Sequence, residues 1–77
     1  MCQAMVQASN HRVILGREIR AQRERAGLTQ EKLAEKVNLH PNYLGRVERG
    51  EERASVEALF RIAEALGVRL KDLFRDV

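Results

Sequence analysis

The sequence holds one cysteine, one proline and no tryptophan, and aromatic residues make up only 4% of it. With Cys2 as the only cysteine, an intramolecular disulfide cannot form, and a metal site built on several cysteines is excluded. Apolar runs are short, as at residues 13–15, so neither a membrane-spanning helix nor the apolar core of a secretory signal is predicted. These absences lead us to expect a cytosolic protein with no membrane role.

A catalytic role is not expected either. At 77 residues the chain can form one domain with one modest core, which leaves no room for a second domain around a cleft. It has no glycine-rich phosphate loop, and no catalytic set of serine, histidine and aspartate or of cysteine and histidine is indicated. The two histidines, His11 and His40, lack the spacing of a metal site. We therefore predict no enzyme activity, no metal and no cofactor.

Basic residues exceed acidic ones only mildly. The 14 lysines and arginines and the 11 aspartates and glutamates give a formal net charge of +3, which suits a polyanionic partner without requiring one. The arginines crowd the first predicted helix and the region around the third. Acidic residues are interleaved with both groups, so an ordinary salt-bridged helical surface is the alternative explanation.

Apolar residues recur at helical spacing from residue 11 onward, and the alternation typical of a strand is absent. We therefore predict an all-α domain over residues 11–77, preceded by a flexible arm of residues 1–10, which show no periodicity. The first helix is expected to run from about Arg12 to Gly27. A fourth helix and a short fifth helix are expected towards the end of the chain. The predicted apolar stripe of the fourth helix comprises Val56, Leu59, Ile62, Ala63 and Leu66.

Residues 29–50 predict two short helices joined by a tight turn. Thr29 can cap the first of them, because its hydroxyl can accept a hydrogen bond from a free amide at the helix start. Asn38 tolerates the positive φ that a sharp turn requires, and Pro41 suits the first turn of the next helix, where its missing amide hydrogen costs nothing. In such a helix-turn-helix the first helix braces the second, and the second protrudes into a major groove of DNA.

This region resembles the helix-turn-helix domains of lambda-type repressors and Cro, the Xre-like family. The resemblance rests on Gly-Leu-Thr-Gln at residues 27–30, Leu-Ala at 33–34, Tyr-Leu at 43–44, Glu-Arg-Gly at 48–50 and Ala-Leu-Gly-Val at 65–68. It covers about residues 13–74, nearly the whole predicted domain. It implies a compact five-helix, lambda-repressor-like DNA-binding domain.

In that family the start of the third helix and a position one turn later usually meet base edges. The resemblance therefore implies base contacts from His40, Pro41, Asn42 and Arg46. Asn42 can pair with N6 and N7 of adenine, and Arg46 can pair with O6 and N7 of guanine. Pro41 can meet a thymine methyl group or simply start the helix, and His40 can donate to DNA, cap the helix or be merely exposed.

The resemblance also implies contacts to the DNA backbone. The residues concerned are Arg23, Gln30, Tyr43, Arg49 and Arg53. Gln30 lies at the amino end of the second helix, where its side chain and the helix amides can hold a phosphate. Glu48 matches the partner of Arg23 in a salt bridge that orients the arginine, so the role implied for Glu48 is structural support. Tyr43 can donate its hydroxyl to a phosphate or pack its ring against the second helix, and we keep both alternatives.

Three residues near the third helix are unexpected there. Gly45 lies inside a helix, where glycine costs up to about 1 kcal/mol relative to alanine, and either close approach to DNA or helix packing would explain it. Glu51 and Glu52 depart from the more basic loop of some relatives, which would weaken non-specific DNA affinity.

A homodimer is expected, because one such module contacts few base pairs and useful specificity normally needs two half-sites about one helical turn apart. Apolar residues near the end of the sequence exceed what a short helix can bury beneath itself. The predicted interface consists of Phe60, Val68, Leu70, Phe74 and Val77. Alternatively, Leu70, Leu73 and Phe74 simply close the core of the monomer.

We predict a sequence-specific regulator of transcription that binds an inverted-repeat operator in double-stranded DNA. The alternative is an antitoxin-like module whose main partner is a protein and which binds DNA only for autoregulation. Residues 39–51 look most like those of restriction-modification controller proteins, although Pro41 and Asn42 stand where that group commonly has Arg-Thr. A phage Cro-like repressor is the other candidate within the DNA-binding class.

Overall fold

The computed structural model of the protein describes the backbone of residues 2–75 and the side chains of residues 11–75. That part of the chain contains five α-helices and no strand, which confirms the predicted all-α class. The helices are α1 (Cys2–Arg25), α2 (Gln30–Val37), α3 (Pro41–Glu48), α4 (Val56–Leu66) and α5 (Leu70–Leu73). None of these helices is long and apolar enough to cross a lipid bilayer.

α1 begins much earlier than the sequence predicts, at Cys2 rather than near Arg12. Residues 2–15 contain neither glycine nor proline, and each residue added to a nucleated helix gains a hydrogen bond, so the helix continues without an apolar stripe. Its 24 residues rise by about 1.5 Å each, which accounts for the 39 Å long dimension of the molecule. The flexibility expected of residues 1–10 stays a prediction.

The turn between α2 and α3 forms as the sequence predicts. Thr29 caps α2, because its hydroxyl accepts a hydrogen bond from the amide of Lys32 at 3.1 Å. Asn38 takes the left-handed conformation with a φ of 58°, and its amide donates to two carbonyls of the last turn of α2. Pro41 occupies the first turn of α3. These local signals fix the path of the chain from α2 into α3.

α4 is also bounded by the predicted residues. Ser55 caps it by accepting from the amide of Ala58, and Gly67 ends it with a φ of 70°. The predicted apolar stripe is wrong at one position, because Val56 is 66% exposed. At about 100° per residue, Val56 lies roughly a quarter of a turn from the centre of the buried face, just beyond its edge at Ala63. That face comprises Ala58, Leu59, Ile62 and Ala63.

All five helices contribute to one core. Each supplies one large side chain that is fully buried, and these side chains are Ile19, Leu33, Leu44, Ile62 and Leu73. α3 packs against both α1 and α2. Its inward face is therefore held from two sides, while its outward face is exposed to solvent.

α1 and the end of α3 approach each other so closely that side chains are not tolerated at two positions. A Cβ atom on Gly16 would overlap the carbonyl oxygens of Val47 and Glu48. Gly50, which follows α3, has a φ of 78°, and a Cβ atom there would lie 2.8 Å from Cγ2 of Val13. The need for glycine at position 16 is invisible in the sequence, because its neighbour lies on another helix.

Candidate nucleic-acid interface

α3 presents polar side chains on the face that points away from the core. Asn42 and Arg46 are exposed and stand one turn apart, while Leu44 lies in the core. His40 is exposed just before the helix, and Pro41 is half-buried at its start. The structure thus brings the four residues predicted to contact bases to the beginning and the outer face of one helix.

His40 caps α3. Its Nδ1 accepts a hydrogen bond from the amide of Asn42 at 3.1 Å, so the neutral ring carries its proton on Nε2. Of the alternatives considered for His40, capping is the one that the geometry shows, and it leaves Nε2–H to donate elsewhere. Among the side chains of residues 11–75, no group of three or more histidine, cysteine, aspartate or glutamate residues is placed to hold a metal ion.

A buried ion pair ties α1 to the end of α3. Nε of Arg23 donates to Oε2 of Glu48 at 2.7 Å, and Nη2 donates to Oε1 at 3.1 Å. The two side chains are only 10% and 2% exposed. The hydrogen bond to Glu48 raises the pKa of Arg23 above its ordinary value, with the carboxylate's charge adding to the effect and burial opposing it. Nη1 donates to the carbonyl of Leu28 at 2.7 Å, so Arg23 also holds the turn that leads into α2.

Gln30 belongs to the same network. Its Nε2 donates to Oε1 of Glu48 at 2.9 Å, so the side chain extends from the start of α2 to the end of α3. It lies beside Gly45, where a Cβ atom would be 3.4 Å from Oε1 of Gln30 and 3.2 Å from Nη1 of Arg49. None of the three nearest atoms belongs to a backbone, so glycine at this position leaves room for two side chains that are predicted to contact DNA.

The hydroxyl of Tyr43 holds the loop between α3 and α4. It donates to the carbonyl of Arg53 at 3.2 Å and accepts from the amide of Ser55 at 3.1 Å. The ring is half-buried against the core. Donation to a phosphate would require the hydroxyl to leave the carbonyl of Arg53. The phosphate contact of Tyr43 stays a prediction, and the support of the loop is what the geometry shows.

Two arginines at the end of α3 pair with carboxylates of the following loop. Nε of Arg46 donates to Oε1 of Glu52 at 3.2 Å, and Nε of Arg49 donates to Oε2 of Glu51 at 3.1 Å. All four side chains are well exposed, and such pairs contribute at most about 1 kcal/mol each. Arg53 in the same loop is exposed as well. The positive charge of this end of α3 is therefore partly compensated within the protein, as in the salt-bridged surface that the sequence offered as the alternative explanation.

A second surface is apolar. It consists of exposed and half-buried side chains of α4, α5 and their connection, and we call it the apolar face; it comprises Val56, Phe60, Val68, Leu70 and Phe74. Phe60 is 56% exposed and lines a shallow groove together with Val68 and Leu70. Phe74 is exposed too, whereas Leu73 is fully buried in the core. Val77, also predicted at this surface, lies outside the described residues.

Comparison with known proteins agrees with this arrangement, in which one helix braces an exposed second helix across a tight turn. A profile of the helix-turn-helix family matches residues 19–73, from the last turns of α1 to the end of α5. The chain belongs to the helix-turn-helix family. It is accordingly a DNA-binding regulator of transcription, and the resemblance stated from the sequence is confirmed.

Relatives of this helix-turn-helix protein include both short and longer regulators. It is 38% identical over 66 residues to control protein C.BamHI of Bacillus amyloliquefaciens. The aligned residues make up 84% of this chain and 82% of the relative. It is 41% identical over 56 residues to the immunity repressor protein of Bacillus phage phi105. Here the aligned residues make up 73% of this chain and 39% of the repressor. The crystal structure of the restriction-modification controller protein C.AhdI from Aeromonas hydrophila matches with a TM-score of 0.79 and 37% identity, over 80% of this chain and 94% of that chain.

Proposed function

We propose that the protein binds a short inverted-repeat operator in double-stranded DNA as a homodimer, with α3 of each subunit in the major groove, and regulates transcription from there. One observation carries the proposal: α3 is held by α1 and α2 and exposes Asn42 and Arg46 one turn apart. An α-helix fits the major groove, where asparagine and arginine can distinguish base pairs. No catalytic activity is part of the proposal.

The base contacts are proposed to come from the beginning and outer face of α3. Asn42 pairs with adenine and Arg46 with guanine, and each bidentate contact contributes roughly 1–3 kcal/mol of discrimination. His40 adds a donor at Nε2, because its Nδ1 is already used to cap the helix. Pro41 offers no donor and adds a small apolar surface for a thymine methyl group.

The phosphate contacts are proposed to come from the two ends of the α2–α3 unit. Gln30 lies at the amino end of α2, where free amides favour an anion. Arg49 and Arg53 lie at the end of α3 and in the following loop, and both are exposed. Arg23 and Tyr43 have a smaller part, because all three nitrogens of the Arg23 guanidinium bond within the protein and the Tyr43 hydroxyl both donates and accepts there.

Dimerisation is proposed to use the apolar face. Two copies related by a two-fold axis read half-sites about 34–36 Å apart, which doubles the number of base pairs that one module reads. The exposed rings of Phe60 and Phe74 give each subunit a patch that a second copy can cover. Leu73 is fully buried and anchors α5 to the core, so the patch is held in place.

Control of a restriction-modification operon is the specific role that the relatives favour. The two control proteins are matched over 82% and 94% of their length, whereas the phage repressor is matched over 39%. Pro41 and Asn42 differ from the Arg-Thr pair common in controller proteins. Because these two residues lie where bases are read, the operator is expected to differ from those of the relatives.

Selection of bound duplexes from a random DNA library tests the proposal. Near-physiological salt is required, because phosphate contacts alone mimic affinity at low salt. We expect an enriched inverted repeat whose half-site centres lie about one helical turn apart. The antitoxin-like alternative would be favoured if no sequence were enriched and if tandem purification from the host recovered a stoichiometric protein partner.

Replacement of Arg46 with alanine is expected to relax base preference at one operator position. Loss of the bidentate guanine contact lowers discrimination there by roughly 1–3 kcal/mol, a factor of about 5–150. Gln30→Ala is the comparison, because loss of a phosphate contact weakens binding to all sequences about equally. Titrations of the operator and its single-base variants distinguish the two effects. Equal, sequence-independent losses from both variants would remove Arg46 from the base-reading role.

Replacement of Phe60 with glutamate is expected to weaken the dimer by about 10- to 100-fold or more, because a buried phenylalanine contributes roughly 1.5–3 kcal/mol and a carboxylate would be desolvated in its place. The monomer should stay folded, since Phe60 is exposed within it. Sedimentation equilibrium measures the dissociation constant, and Ala26→Glu, at an exposed position outside the apolar face, is the control. A dimer unaffected by Phe60→Glu would place the interface elsewhere.

A further inference from the structure

Arg46, the residue proposed to recognise guanine, is already in contact with a carboxylate. Its Nε lies 3.2 Å from Oε1 of Glu52. Within residues 11–75, its Nη1 and Nη2 groups have no hydrogen-bond partner. Both side chains are close to half exposed, at 44% for Arg46 and 42% for Glu52. Because Arg46 lies on the outer face of α3, the pair faces DNA in the proposed complex.

This pair affects contact of Arg46 with a base and contact with a phosphate differently. A guanidinium group can bind O6 and N7 of guanine through Nη1 and Nη2 while its Nε remains bonded to a carboxylate, because its five N–H groups point in fixed directions. Contact with a phosphate would bring that anion close to the carboxylate of Glu52. The two negative charges repel each other, so the pair disfavours a phosphate contact without blocking the base contact.

We propose that Glu52 is a specificity-determining residue. By holding Nε of Arg46, it directs the two Nη groups towards a base edge and prevents Arg46 from strengthening attachment to DNA of any sequence. The inference rests on the proposed function. It assigns Glu52 the role of a positioning residue that acts through Arg46 rather than through a direct contact with DNA.

Glu51 provides a matched control one residue away. It pairs with Arg49 in the same way, with Nε and Oε2 3.1 Å apart and both side chains more than half exposed. Arg49 is proposed to contact a phosphate, so the pair with Glu51 opposes binding to every DNA sequence to the same extent. The substitutions Glu52→Gln and Glu51→Gln remove the same charge from neighbouring positions and are expected to act differently.

The test compares the affinity of each variant for the selected operator and for a scrambled duplex of equal length, at about 50–200 mM salt. Glu52→Gln should raise affinity for the scrambled duplex roughly three- to tenfold and leave operator affinity unchanged or lower. For the scrambled duplex, the slope of log K against log salt should steepen by about 0.9, as expected for one additional phosphate contact. Glu51→Gln should raise both affinities by a similar factor and leave their ratio unchanged.

Equal changes in the operator to scrambled ratio for the two variants would overturn the inference. Urea unfolding of both variants checks that neither substitution alters the fold, which exposed pairs of this kind are not expected to do. If the wild-type protein binds the operator and the scrambled duplex equally, the proposed function is refuted. In that case there is no sequence specificity that Glu52 could determine. The wild-type titrations alone reveal that case, so the two failures are distinguishable.

Discussion

Replacement of Gly16 with alanine is expected to lower the free energy of unfolding by about 2–3 kcal/mol, a common cost of forcing extra atoms into a packed site. The new Cβ atom would overlap the carbonyl oxygens of Val47 and Glu48. These atoms belong to the backbone of α3 and cannot turn aside as the end of a side chain can, so α1 and α3 must move apart. In a domain of this size 1 kcal/mol corresponds to roughly 4–8 °C in Tm, so Tm should fall by about 10–20 °C.

Gly45→Ala is the matched control, because it also adds one methyl group to a glycine inside a helix. The nearest atoms are the ends of the Arg49 and Gln30 side chains, at 3.2 and 3.4 Å, and they can shift. The higher helix propensity of alanine should then raise the free energy of unfolding by about 0.5–1 kcal/mol, while the displaced side chains weaken DNA binding. Thermal unfolding measures both variants. If Gly16→Ala were as stable as the wild type, the close contact between α1 and α3 would be refuted.

Glu48→Ala is expected to cost about 3–5 kcal/mol, because it leaves the guanidinium of Arg23 buried without its counter-charge. Arginine cannot relieve this cost by losing its proton, because its guanidinium group stays protonated in proteins. Gln30 would lose its acceptor at the same time. DNA affinity should therefore fall even under conditions in which the variant remains folded.

The double variant Arg23→Met, Glu48→Leu separates stability from DNA binding. Apolar side chains of similar volume often replace a buried ion pair without net loss, although the carbonyl of Leu28 loses its donor here. Unfolding in urea should show stability restored to within about 1–2 kcal/mol of the wild type. DNA affinity should not recover, because Gln30 still lacks its acceptor. A double variant less stable than Glu48→Ala would contradict the assigned cost of the unpaired arginine.

The helix boundaries that depend on local chemistry could be predicted from the sequence. Thr29, Asn38 and Ser55 act on atoms within a few residues of themselves, so their types and positions suffice to indicate a cap or a turn. The start of α1 was missed for the opposite reason. Continuation of a helix through residues 2–10 requires no marked residue, and the apolar periodicity used to detect helices is absent there.

Contacts between distant parts of the chain could be predicted only where a family resemblance supplied them. The ion pair of Arg23 and Glu48 joins residues 25 positions apart, and helical periodicity carries no information on such a pairing. Gly16 was missed because its backbone neighbours lie on α3. Helical periodicity places Val56 on the core side because it lies close to Ala63 around the helix, and which part of that side is covered depends on contacts with α1, α2 and α5 that no local pattern reveals.

Each helix contributes one fully buried side chain to the core, and this determines how the regulator unfolds. No helix can detach without opening a hole that the remaining four helices share, so partial melting is disfavoured and the domain should denature as a single cooperative unit. Amides at the centres of different helices should then exchange with deuterium at similar, global rates. A heat-sensitive allele that affects Leu73, remote in sequence from α3, should abolish promoter occupancy as completely as damage to α3 itself.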